Sequence, residues 1–211
     1  MRNSLYAITA FAMFSLVSTT ASAQDGLDTP YVAPKLMLGF GGGTDVDLNS
    51  DSVLGAIDPE ADLEPSYGIG VAGMNPMGFF ALGGQLSLIS WGADYPNSER
   101  SLFFELSALP QANLALAIVE VYLNVPIGLT VDFADDQAYG DERTVNTGLG
   151  WHLGLMLGAR VGLGDFGLLA EVGFIHRSFS HEVESTALGT MNTWDVDVEL
   201  DQAALNLGVY F

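Results

Sequence analysis

Residues 119–133, VEVYLNVPIGLTVDF, alternate without a break. Odd positions carry Val119, Val121, Leu123, Val125, Ile127, Leu129, Val131 and Phe133. Even positions carry Glu120, Tyr122, Asn124, Pro126, Gly128, Thr130 and Asp132. Successive side chains of a strand point to opposite faces, so a period of two gives an extended segment one wholly apolar face. A helix would scatter the same residues around its circumference, and Pro126 would break it. The segment is also long. Strands of soluble domains run about 5–6 residues, whereas a tilted strand needs about 9–11 to cross a bilayer. Length and alternation together predict a strand with hydrocarbon on one side and polar groups on the other.

The pattern recurs. In residues 148–161, Leu149, Trp151, Leu153, Leu155, Leu157, Ala159 and Val161 share one face, and His152, Met156 and Arg160 share the other with four glycines. Residues 102–114 set Phe104, Leu106 and Ala108 against Glu105, Ser107, Gln111 and Asn113. Residues 166–174 set Leu168, Ala170, Val172 and Phe174 against Glu171 and Gly173, and the chain closes on Ala203, Leu205, Leu207, Val209 and Phe211. Residues 65–93 are free of charge, but their glycines argue against a membrane helix. Asn75-Pro76-Met77-Gly78 instead reads as a turn between two strands.

Eight strands are predicted, at about 34–43, 65–74, 79–91, 101–114, 118–133, 147–161, 166–181 and 194–211. Their connections alternate between short turns and longer, polar or acidic loops, notably 44–64, 134–146 and 182–193. A strand in lipid must have every backbone group paired, so the sheet must close. The expected fold is therefore all-β: a closed antiparallel up-and-down transmembrane β-barrel of eight strands.

Residues 1–23 read as a secretory signal peptide. Arg2 precedes an apolar run over residues 5–17, and Ala21-Ser22-Ala23 predicts cleavage before Gln24, leaving 24–211 as the barrel. There is no cysteine, which excludes a disulfide framework, a thiolate metal site and a lipid-modified cysteine. The formal net charge of −20, with only six Lys and Arg, argues against a nucleic-acid partner.

A leader, eight alternating strands, long and short loops in turn and a terminal Phe211 resemble the small bacterial outer-membrane barrels of the outer membrane protein A transmembrane-domain type. The resemblance covers the whole chain after the leader. It implies a Gram-negative cell outer membrane, contact with outer-membrane lipids, and insertion by the barrel-assembly machinery, which reads a C-terminal aromatic signal. Val209 stands where the family often has a second aromatic residue. A monomer is expected.

An eight-stranded barrel is just wide enough inside for side chains to fill it. The inward positions include Gln85 and Asn124, and a polar network is expected from Glu105, Glu120, Tyr122, His152, Arg160, Glu171 and Arg177. A buried charge left unpaired is costly, so these carboxylates and guanidiniums are expected to pair and plug the lumen. A narrow path for ions or small solutes is the alternative.

His176-Arg177-Ser178, with Glu199 nearby, faintly resembles the His-x-Ser arrangement of outer-membrane lipid A deacylases. That motif continues Ser-Asn, and here Phe179 follows. Asp45, Asp47, Asn49 and Asp51 alternate like calcium ligands, but Ser50 and Ala56 occupy the Gly and Glu positions of such a loop. No catalytic residue, cofactor or metal site is therefore expected. The expected role is structural or interactive, presenting acidic extracellular loops, with a pore or a lipid A-modifying enzyme as alternatives.

Overall fold

The computed structural model describes residues 29–49, 61–92, 100–116, 118–133, 143–187 and 190–211. The predicted leader lies outside them, as do Ser50, Asp51 and Ala56 of the acidic loop. Among the described residues, twelve strands form one antiparallel sheet: β1 (Tyr31–Phe40), β2 (Gly43–Asn49), β3 (Ala61–Asp62), β4 (Ser66–Met77), β5 (Phe80–Trp91), β6 (Ser101–Leu116), β7 (Val119–Asn124), β8 (Ile127–Phe133), β9 (Arg143–Val145), β10 (Gly148–Gly162), β11 (Gly167–Ala187) and β12 (Thr190–Tyr210). Eight walls close a ring, because β1 pairs with both β4 and β12. The walls run β1, β4, β5, β6, β7 with β8, β10, β11 and β12.

The register fixes the barrel's dimensions. Starting at Ser180 of β11, the paired residues run through Leu149, Val131, Phe104, Leu88, Ile69, Leu36 and Leu207 to Ala170, back on β11. One circuit thus descends ten residues of the same strand. With a rise of about 3.3 Å and a spacing of about 4.8 Å, eight strands at that stagger tilt by roughly 40°. This falls within the range of membrane barrels.

Several boundaries differ from the sequence expectation, each for a local reason. The turn predicted at Asn75-Pro76 lies further on: Asn75 and Pro76 still pair with Leu82 and Ala81, and the chain reverses at Gly78-Phe79. The single strand expected over 118–133 is interrupted at residues 125–126, where Pro126 has no N–H to donate. Its carbonyl still accepts from Gly154 N at 2.7 Å, so register and facing carry across the break. Within the stretches expected as long loops, residues 44–49, 61–62, 182–187 and 190–193 are strand. β2 pairs with the upper half of β12, and β11 and β12 continue together to Ala187 and Thr190.

The first wall contains a bulge. β1 pairs Phe40 with Ala203, and β2 pairs Thr44 with Leu200, so one extra residue is accommodated between them. Gly42 sits there at φ 100°, and a Cβ on it would collide with the Asp201 carbonyl oxygen. The extra residue reverses parity. Odd residues Tyr31 to Gly39 face inward on β1, whereas on β2 Thr44 is buried and Asp45 is exposed.

Candidate functional site

Outside, the lower barrel is a band of exposed apolar side chains, including Leu36, Ile69, Leu82, Leu106, Leu129, Leu155, Val172, Phe174 and Leu207. Inside, at the same level, the strands present polar groups that alternation has turned away from lipid. All seven residues of the predicted network, with Gln85 and Asn124, are buried there.

They assemble in layers. Lowest, between the walls near the short turns, Arg160 Nε lies 2.7 Å from Glu120 Oε1. The Arg160 guanidinium caps the Tyr31 ring at 4.4 Å and reaches toward Tyr210 at 5.6 Å. Above it, Glu171 accepts from Lys35 Nζ at 2.8 and 2.9 Å, from Tyr122 Oη at 3.0 Å and from Asn206 Nδ2 at 2.9 Å. Higher again, Arg177 Nε donates to Glu105 Oε1 at 2.6 Å, and Ser87 Oγ donates to Glu105 Oε2 at 3.2 Å. His152 bridges Ser107 Oγ at 2.8 Å and Thr130 Oγ1 at 2.9 Å.

Among the described residues, the interior thus holds three buried pairs of Lys or Arg with a carboxylate. The cavity among Gln85, Glu105, Ser107, Asn124, His152, Glu171 and Asn206 measures about 10 Å³, at the lower limit for a single water molecule.

Lys35 is the member that sequence reasoning missed. It occupies an inward position of β1, whose alternation Tyr31, Ala33, Lys35, Met37 was cut short by placing the strand start at residue 34.

The upper interior is different in kind. Trp91 stacks on Phe103 at 5.0 Å with planes 6° apart, and Phe179 meets both edge-on at 5.8 and 5.3 Å. Met37, Leu63, Ile89, Val196, Val198 and Leu200 complete this apolar cap. The outer face here is acidic, with Asp45, Asp195, Asp197, Glu199 and Asp201 all exposed.

His176 and Ser178 face outward on this upper wall, as the sequence parity predicts. The carboxylate opposite His176 is Asp201, not Glu199, and its Oδ1 lies 3.0 Å from His176 Nδ1. Glu199 lies across from Ser178. Ser180 Oγ donates to Asp197. Among the described residues, no group of three or more His, Asp or Glu could hold a metal ion.

A closed ring of eight antiparallel walls, apolar outside and ion-paired within, defines the class: this is the fold of small outer-membrane β-barrels. Solved structures agree. Outer membrane protein OprG from Pseudomonas aeruginosa is similar at a TM-score of 0.59 and 12% identity, covering 86% of this chain and 94% of its own. Outer membrane protein AlkL, determined in DMPC lipid bilayers, is similar at a TM-score of 0.55 and 16% identity, covering 92% of this chain and 93% of its own. No family model matches the sequence, and no curated protein matches it.

Proposed function

We propose that this chain is an outer-membrane anchor with a sealed lumen, whose role is structural or interactive and rests on its acidic extracellular face. The observation that carries this reading is the filled interior: three ion-pair layers with a cavity of about 10 Å³ among them, and an aromatic cap above. An ion would have to break a buried pair to pass. The apolar band supports placement in lipid, with outer-membrane lipids and the assembly machinery as the obligatory contacts. No catalysis is part of this reading.

Purified protein reconstituted in a planar bilayer tests it. A silent membrane is expected, and discrete conductance steps would replace the anchor with a narrow pore. Membrane fractionation with heat-modifiable gel mobility checks the location. One observation, the His176–Asp201 hydrogen bond beside Ser178, favours a second reading as a lipid-modifying enzyme. Altered lipid A acyl chains in cells carrying the protein, absent with Ser178→Ala, would establish it.

A further inference from the structure

One histidine ties the mouth of the barrel together. His181 Nε2 lies 3.0 Å from Asp132 Oδ2, and its Nδ1 lies 2.9 Å from the Asn146 carbonyl oxygen. Asp132 Oδ1 in turn accepts from Trp91 Nε1 at 3.0 Å. A carbonyl oxygen and an ionised carboxylate can only accept, so the ring satisfies both at once only as an imidazolium, with both nitrogens donating. The tie joins β5, β8, β11 and the segment leading into β10, directly over the aromatic cap. The His181 ring meets Phe179 edge-on at 5.3 Å. Gly148 leaves it room, since a Cβ there would come within 2.5 Å of the ring.

The surroundings single out Asp132 as the group that senses the ring's charge. On β12 the register partner is Val196, and Asp195 and Asp197 beside it are exposed on the outer face. Glu182 is exposed and accepts from Asn146 Nδ2 at 3.1 Å. Arg177, four residues down the same inward face, is engaged with Glu105, and Phe179 lies between it and His181. Arg143 of β9 stands in register with Ser185, further along β11.

We propose that His181 is a pH-operated latch on the extracellular mouth. Protonated, it holds Asp132, and through it Trp91, over the barrel. Deprotonated, it has one N–H left for two acceptors and must turn a lone pair toward the carboxylate or the Asn146 carbonyl, so the tie between β11, β8 and the segment leading into β10 loosens. On β11 the outward residues above Phe174 are His176, Ser178, Ser180 and Glu182, so His181 stands where that wall has turned polar. Burial alone would lower its pKa, but the hydrogen bonds to Asp132 and the Asn146 carbonyl, with the Asp132 charge, outweigh that and raise it. The sign follows: the latch contributes in full below the unlatched pKa of about 6.5, and its contribution is lost as pH rises through the latched value.

Hydrogen exchange on the intact protein in lipid nanodiscs, followed across neutral and alkaline pH and corrected for intrinsic rates, tests this. Protection at residues 181–198 and 130–133 should fall by up to about tenfold per pH unit between the unlatched and latched pKa values. Protection around Glu171 should stay level. His181→Gln should abolish the fall. In Asp132→Asn the imidazole resonance of His181 should titrate at lower pH than in wild type. The same pH profile in wild type and His181→Gln would overturn the latch. So would a wild-type His181 titrating at or below about 6.5, a measurement that needs no variant to fold.

Discussion

The lower and upper halves of this barrel use the same alternation with opposite polarity. Below, β10 and β11 turn Leu155, Val172 and Phe174 outward and Arg160 and Glu171 inward. Above, β12 turns Asp195, Asp197 and Glu199 outward and Val196, Val198 and Leu200 inward. The backbone does not change; the surrounding medium does. Lipid draws apolar side chains out and leaves the interior to ion pairs, while water draws carboxylates out and leaves the interior to aromatic rings.

Breaking the ionic interior should have the largest effect. Glu171→Leu strands Lys35 and removes the acceptor of Tyr122 and Asn206, and should cost about 3–5 kcal/mol, the penalty for an uncompensated buried charge. Urea unfolding in detergent micelles measures it. The double variant Glu171→Leu with Lys35→Met should recover most of that loss, because no charge is left unpaired; equal loss in both would mean the pair matters through shape rather than charge. Next comes the outer face of the lower half. Val172→Arg puts a cation into mid-bilayer and should cost about 2–4 kcal/mol, read by the same unfolding. The smallest effect belongs to the outer face of the upper half, where Glu199→Gln should stay within about 0.5 kcal/mol. A cost for Glu199→Gln comparable to that of Val172→Arg would erase the contrast between the halves.

Periodicity made the walls legible. Residues 119–133 and 148–161 show their lipid face in the sequence alone, and Glu105, Glu120, Tyr122, His152, Arg160, Glu171 and Arg177 fall inward by parity. Partners were not legible, because they depend on register across the ring. Lys35 and Glu171 are 136 residues apart and meet only because β1, β12 and β11 lie side by side. Parity also cannot say which face meets lipid once the pattern leaves the membrane, so residues 182–187 and 190–193 read as loop although they are paired strand. Asp201 was overlooked as the partner of His176 for the same reason: choosing it over Glu199 needs the exact pairing of β11 with β12.

The inserted residue in the first wall acts on side-chain facing as a frameshift acts on a reading frame. Downstream of it, Thr44 is buried and Asp45 exposed, the reverse of what the upstream frame would give. Were Gly42 paired as an ordinary strand residue, the register of β1 would run on and set Asp45 opposite Val198, against the apolar cap. The looped-out residue therefore lets the first wall follow its neighbours out of lipid and keeps Asp45 wet.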